Sequence, residues 1–193
     1  SSRYPDPWEL TAVGSVLYFT AEDDSALTRE LWAHDPSNGS TWKVTEYVST
    51  GDCCSNPWYL TAAGSVLYFT AEDGSSGREL WAYDPSNGST WQIADISPGS
   101  GWGGGSNPWY LTAVGSVLYF SADDGSSGRE VWAHDSSNGS TWQVVDINPG
   151  SDGSNPNWFA TIGSTVYFSA VDATSSSGSG LWSYGVVSQI TIS

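Results

Sequence analysis

A segment of about fifty residues occurs four times in this chain, and it carries its tryptophans with it. The second copy opens Asn56-Pro57-Trp58-Tyr59-Leu60-Thr61-Ala62 and passes through Val66-Leu67-Tyr68-Phe69-Thr70-Ala71. It then runs Arg78-Glu79-Leu80-Trp81-Ala82-Tyr83-Asp84 and ends Thr90-Trp91-Gln92-Ile93-Ala94-Asp95-Ile96. The third copy repeats this almost letter for letter from Asn107 to Ile147. The first (Asp6 to Val48) and the fourth (Asn155 to Ile192) are looser. A repeat of this length is one supersecondary unit that cannot bury its apolar face alone, so neighbouring units must stack. Whatever one unit does is done several times, which disfavours a single catalytic centre.

Each unit holds four apolar runs of strand length, rich in aromatic and β-branched residues and without helical spacing. The breaks between them have turn chemistry. Ala63-Gly64-Ser65 makes a tight hairpin, Glu72 to Gly77 a longer bend, and Asn87-Gly88 predicts the positive φ angles of a type I′ turn. Four short antiparallel strands in forty to fifty residues is the size of a propeller blade. The predicted fold is therefore all-β, a small β-propeller of four four-stranded antiparallel blades in one repeat domain, residues 1–193. The blades are expected at 6–54, 55–104, 105–153 and 154–193. Side chains on both faces of a strand pack against neighbouring blades. The fourth unit departs from the pattern: Ser179-Gly180 replaces the Arg-Glu step, and Ser188 stands where the last Trp should be. The ring closes by packing or is completed by another chain.

Charge narrows the partners. The 193 residues include 21 acidic and 5 basic ones, a net charge of −16. That excludes nucleic acid, which needs clustered Lys and Arg, and anionic membrane surfaces. No apolar stretch approaches the roughly 20 residues of a spanning helix, so membrane insertion is not expected. The chain has no Met and starts Ser1-Ser2, as a secreted product would after removal of its signal peptide, and as a fragment of a longer chain would too. Its two cysteines, Cys53 and Cys54, are adjacent. Neighbouring Cα atoms lie about 3.8 Å apart, shorter than the usual disulfide span of about 4.4–6.8 Å. A strained vicinal disulfide, two free thiols, and bonds to other chains all remain open.

Glu30-Leu31-Trp32-Ala33-His34-Asp35, Glu79 to Asp84, and the relaxed Glu130-Val131-Trp132 resemble the ELWxxDGT repeat, a hyalin-like unit of secreted and cell-surface proteins. Asp146-Ile147-Asn148-Pro149-Gly150 and the run Leu111 to Gly125 fit the same resemblance. It covers nearly the whole chain. After the Asp, this sequence has Pro-Ser-Asn-Gly-Ser-Thr or Ser-Ser-Asn-Gly-Ser-Thr where the family has Gly-Thr, so its hairpin is longer. The resemblance implies a propeller-like extracellular protein with an adhesive or structural role. It implies no enzyme activity and no particular ligand.

Several residue sets could carry function. Trp8, Trp58, Trp109 and Trp158 head the predicted innermost strand and should circle the axis. They are either a stacking platform for a sugar or inter-blade packing. Trp102 lies in a loop outside the repeat and is the best exposed aromatic. The acidic turns at Asp23, Asp24, Asp73, Asp123 and Asp124 could offer oxygens to Ca2+, or be solvated turn acids. Asn38, Asn87 and Asn138 are N-glycosylation acceptors by pattern, or simply turn residues. Arg29, Arg78 and Arg129 each precede a Glu; facing opposite sides, each pair should make ion pairs across blades. Catalytic signatures are weak: His34 and His134 occupy a position that is Tyr83 elsewhere, and every carboxylate pair belongs to a repeating turn.

The sequence thus reads as a secreted, extracellular, non-enzymatic propeller, an adhesive or structural module whose partners are other protein chains of an assembly or surface glycans. The alternative is a lectin-like propeller. A glycoside hydrolase is a more distant third, since it needs two specifically spaced carboxylates.

Overall fold

Each repeat forms one antiparallel sheet. The computed structural model describes residues 6–23, 28–44, 56–99, 104–173 and 178–185, with the Asp23 side chain not described. The first unit contributes β1 (Trp8–Val13), β2 (Val16–Asp23), β3 (Thr28–Asp35) and β4 (Ser40–Lys43). The second contributes β5 (Trp58–Ala63), β6 (Val66–Glu72), β7 (Arg78–Asp84) and β8 (Ser89–Ala94). The third contributes β9 (Trp109–Val114), β10 (Val117–Asp123), β11 (Arg129–Asp135) and β12 (Ser140–Val145). The fourth contributes β13 (Asn157–Ile162), β14 (Thr165–Ala170) and β15 (Gly180–Gly185). Within every sheet the strands lie in sequence order, so each blade is a meander. A fourth strand for the last blade would fall outside the described residues.

Why these residues make blades is visible in β6. Leu67, Phe69 and Ala71 face the first blade while Tyr68 and Thr70 face the third, and all five are buried. A strand in a lone half-exposed sheet would alternate apolar and polar; one sandwiched between sheets is apolar on both faces. Three cores result, one per junction. Tyr18 and Leu31 meet Leu67 and Phe69 between blades 1 and 2. Tyr68 and Leu80 meet Leu118 and Phe120 between blades 2 and 3. Tyr119 and Val131 meet Val166 and Phe168 between blades 3 and 4.

The first strands β1, β5, β9 and β13 lie side by side in that order and form the inner wall, as the sequence predicts. Thr11 and Thr61 tie them together, each hydroxyl donating to a carbonyl on the next blade, Leu60 O at 2.7 Å and Leu111 O at 3.2 Å. No comparable contact joins β13 back to β1 among the described residues. Among the described residues the four blades form an open arc, with no packing of β13 on β1 to close it.

Two turn details differ from expectation. The hairpin after β7 is not a type I′ turn. Only the glycine has positive φ, +73° at Gly88, and its N–H bonds back to Asp84 O at 2.9 Å. This four-residue loop is anchored by Asp84, which accepts from Ser86 N and the Asn87 amide. Every inner strand also carries a bulge near its start. The second residue, Glu9, Tyr59, Tyr110 or Trp158, sits at φ between 56° and 59°, and one extra residue shifts the register there. Left-handed conformations of such residues cost about 1 kcal/mol or more, and bulges of this kind re-aim the side chains around them.

Candidate functional site

The bulge fixes how the units align. Trp8, Trp58 and Trp109 pair with Thr20, Thr70 and Ser121 on the second strand, and in the fourth blade the residue paired with Ser169 is Asn157. Trp158 is one place further on, at the left-handed position held by Tyr59 and Tyr110. The predicted ring of four equivalent tryptophans is therefore a run of three. Trp158 instead packs beside Tyr110, with ring centroids 5.8 Å apart. The sequence misled because a Trp occurs in every first run; only the positive φ values show the one-residue offset.

The three tryptophans alternate with arginines from the third strands. The Arg29 guanidinium lies 4.8 Å from the Trp8 ring and 5.8 Å from the Trp58 ring, so it bridges two blades. Arg129 lies 4.2 Å over Trp109. Arg78 donates to Asn56 O at 2.8 Å and pairs with Glu72 at 2.9 Å. Arg129 donates to Asn107 O at 2.8 Å. Burial pulls the Arg129 guanidinium below its ordinary value, although Asp123 opposes the shift. Cation–π stacking explains why an arginine tolerates that burial. Between Trp58 and Trp109 this ladder opens a cleft of about 390 Å³, also lined by Tyr59, Thr70, Arg78 and Asn107.

The glutamates that follow these arginines do a different job. Glu79 accepts from Ile96 N at 3.3 Å, Ser97 N at 3.4 Å, Ser106 N at 2.7 Å and Ser106 Oγ at 2.5 Å. Glu130 repeats the set on Ile147 N, Asn148 N, Ser154 N and Ser154 Oγ. Both carboxylates thus hold the two ends of the linker leading into the next blade. Burial pushes their carboxyls up, against the downward pull of the four hydrogen bonds. The linker also packs tightly on the blade: a methyl group on Gly77 or Gly128 would meet linker backbone within 2.3 Å or 2.5 Å. At Glu79 and Glu130 the cross-blade Arg–Glu ion pairs expected from the sequence give way to linker donors. Arg29 and Arg78 pair within their own blade, with Glu22 and Glu72, and Glu79 and Glu130 take backbone and serine donors. The overlooked signal was the Ser-Asn-Pro that precedes each of the last three inner strands, at Ser55, Ser106 and Ser154.

The remaining expectations divide. Asp73 accepts from the N–H and hydroxyl groups of Ser75 and Ser76, and Asp124 does the same with Ser126 and Ser127. Burial raises these carboxyls, but the hydrogen bonds outweigh it and hold them below the usual range. Asp123 accepts from Gly125 N. Among the described residues no three His, Cys, Asp or Glu side chains converge as a cation site. Asn38, Asn87 and Asn138 stand at exposed hairpin tips, each donating to the Asp that anchors its loop. Trp102, Asp24, Cys53 and Cys54 lie outside the described residues.

No protein-family model matches this chain, and no curated protein matches it. Solved structures do. The chain is similar to a putative TolB from Agrobacterium tumefaciens, 11% identical, TM-score 0.59, covering 93% of this chain and 61% of that one. It is similar to a puromycin hydrolase S511A mutant complexed with PGG, 12% identical, TM-score 0.67, covering 96% and 28%. It is also similar to the β-propeller domain of the Trilobed protease from Pyrococcus furiosus, whose propeller has an open velcro topology, 9% identical, TM-score 0.63, covering 98% and 57%. The chain spans less than two thirds of each. At these identities the likeness is one of fold: the protein is a β-propeller array.

Proposed function

We propose that this chain is a secreted, non-enzymatic propeller module with an adhesive or structural role in an extracellular assembly. The observation that carries this reading is the employment of its buried carboxylates. Glu79 and Glu130 are each engaged by four donors from a linker, which makes these two buried carboxylates structural groups and not a free acid–base pair. The apolar groups left outward, by contrast, form surfaces suited to other protein chains. The resemblance to the ELWxxDGT repeat supports the same role. The test is to coat beads with the protein and follow their aggregation with and without Ca2+, alongside hydrolysis of model glycosides. Clumping without hydrolysis supports the module. Hydrolysis that disappears on changing one carboxylate overturns it.

The cleft between Trp58 and Trp109 favours a second reading, a lectin-like propeller. Half-exposed indoles flank the Arg78 and Asn107 donors there, and aromatic faces with nearby hydrogen-bond donors suit sugars. A glycan array would show specific binding lost in Trp109→Ala. No glycan bound by the wild type would remove this reading.

A further inference from the structure

Blades 2 and 3 meet in another cleft, at the opposite end of the strands from the one between Trp58 and Trp109. It encloses about 410 Å³ beside Ala63 at the end of β5, whereas Trp58 stands at the start of that strand. One wall is the Trp91 indole on β8, 39% exposed. Trp91 pairs with Ala82, which belongs to the core between blades 2 and 3, so the indole lies on the face turned toward blade 3. Two further rings line the cleft. Buried Tyr68 of blade 2 and buried His134 of blade 3 meet across the junction, with ring centroids 5.7 Å apart. Ile93 adds apolar surface, and Ser65 and Ser136 add hydroxyls.

The repeat departs from itself at this place. Between the second and third units most exchanges keep the chemistry, as with Thr70 and Ser121, Glu72 and Asp123, Leu80 and Val131, or Ile93 and Val144. At the positions of Tyr83 and Pro85, however, the third unit has His134 and Ser136, and both line the cleft. On the other side, Ala63 stands where blades 1 and 3 carry Val13 and Val114. The cleft is therefore roomier and more polar than a strict repeat would leave it. Ser136 is held firmly: Ser116 O accepts from its N–H at 2.9 Å and from its hydroxyl at 3.0 Å, which leaves Oγ free to accept. Burial draws the His134 imidazole below its ordinary value, so the ring is neutral at pH 7.

This chemistry selects the ligand. No Lys, Arg, Asp or Glu lines the cleft, and a net charge of −16 repels anions. Its volume falls within the range of about 300–1,000 Å³ of small-molecule sites. A flat indole wall with uncharged polar groups beside it matches a pyranose, which has an apolar face and hydroxyls at its edge.

We propose that this cleft binds a neutral pyranose residue of a glycan, Trp91 stacking on its apolar face while Ser136 and His134 engage its hydroxyls. The site is separate from the Trp58–Trp109 cleft and does not depend on it. A glycan array of the full chain tests it, followed by calorimetric titration with the methyl glycosides of glucose, galactose, mannose and N-acetylglucosamine. Ala63→Val and Ser136→Pro restore residues that other blades carry, so both should fold; the first narrows the cleft and the second removes a hydroxyl. Trp91→Ala removes the stacking wall. Each should weaken binding about tenfold or more, while Trp109→Ala leaves it within about twofold. A wild type that binds none of these sugars overturns the proposal, as does selection of acidic glycans only. So does binding that Ala63→Val and Trp91→Ala leave intact. Binding removed by Trp109→Ala alone would overturn it in favour of the other cleft. Adenosine, a flat neutral ligand that fills such a cleft by stacking alone, should bind more weakly than the preferred sugar, and the reverse order would also overturn it.

Discussion

Replacing Glu130 with Ala removes one acceptor group and strands four donors. Ile147 N, Asn148 N, Ser154 N and Ser154 Oγ lie 3.1, 3.3, 2.7 and 2.5 Å from its carboxylate. Ile147 and Ser154 are buried, so their N–H groups gain no water in exchange. Each orphaned buried donor costs about 1–3 kcal/mol, while removing a buried carboxylate returns part of its desolvation cost. The serine hydroxyl can rotate toward another partner. The net loss should be about 3 kcal/mol. For a chain of this size 1 kcal/mol moves the thermal midpoint by about 2–4 °C, so the midpoint should fall by roughly 6–12 °C. Glu130→Gln keeps one acceptor oxygen and should fall by about half as much. Because repeat arrays can unfold unit by unit, amide hydrogen exchange is the sharper assay. The Ile147 and Ser154 amides should lose protection, while those of Ile96 and Ser106, held by Glu79, keep theirs. A loss under about 1 kcal/mol, or an even loss of protection at both linkers, would refute the linker role.

Three other outcomes follow from the same structure. Asn157→Trp restores the missing rung beside Arg129 and should stabilise the protein by about 0.5–1 kcal/mol in urea denaturation. Trp158→Ala, at a position 76% exposed in the arc, should leave the single-chain midpoint nearly unchanged. The reverse pattern would mean that Trp158 is the true counterpart of Trp109. His134 supplies the pH dependence. Burial lowers its imidazole below the ordinary 6.5, with Asp135 opposing. The unfolded chain therefore takes up the proton first, and the stability from the neutral ring is present above pH 6.5 and lost as pH falls below it. Thermal melts of His134→Tyr should lose less stability than the wild type on acidification below pH 6.5. Equal losses would contradict the burial argument.

The fold was legible because its signal is redundant. Leu67, Phe69 and Tyr68 are apolar on both strand faces, and that pattern recurs at blade spacing, so stacked sheets follow without coordinates. The bulge was not legible, because a left-handed Tyr59 or Trp158 leaves no mark in composition or periodicity. That one residue is why Asn157, and not Trp158, stands in the tryptophan series. The role of Glu79 and Glu130 was hidden for another reason. Three of the four donors to each are backbone N–H groups, at Ile96, Ser97 and Ser106 for Glu79, and backbone geometry is silent in a sequence; only the repeated serine of Ser-Asn-Pro left a mark. The openness of the arc depends on how far each blade rotates past the last, which no side-chain pattern encodes.

That openness is the account's central claim, and an intrachain distance tests it most directly. Spin labels at Ser15 and Ser164, in the inner hairpins of blades 1 and 4, would be placed in a Cys53→Ser, Cys54→Ser background. Labelled chains diluted into unlabelled ones report only distances within one copy. Adjacent sheets pack about 10 Å apart, so a closed four-blade disc would bring the two hairpins within about one such spacing, plus the label arms. The open arc predicts a separation of about 20 Å or more. A distribution centred on one blade spacing would contradict it.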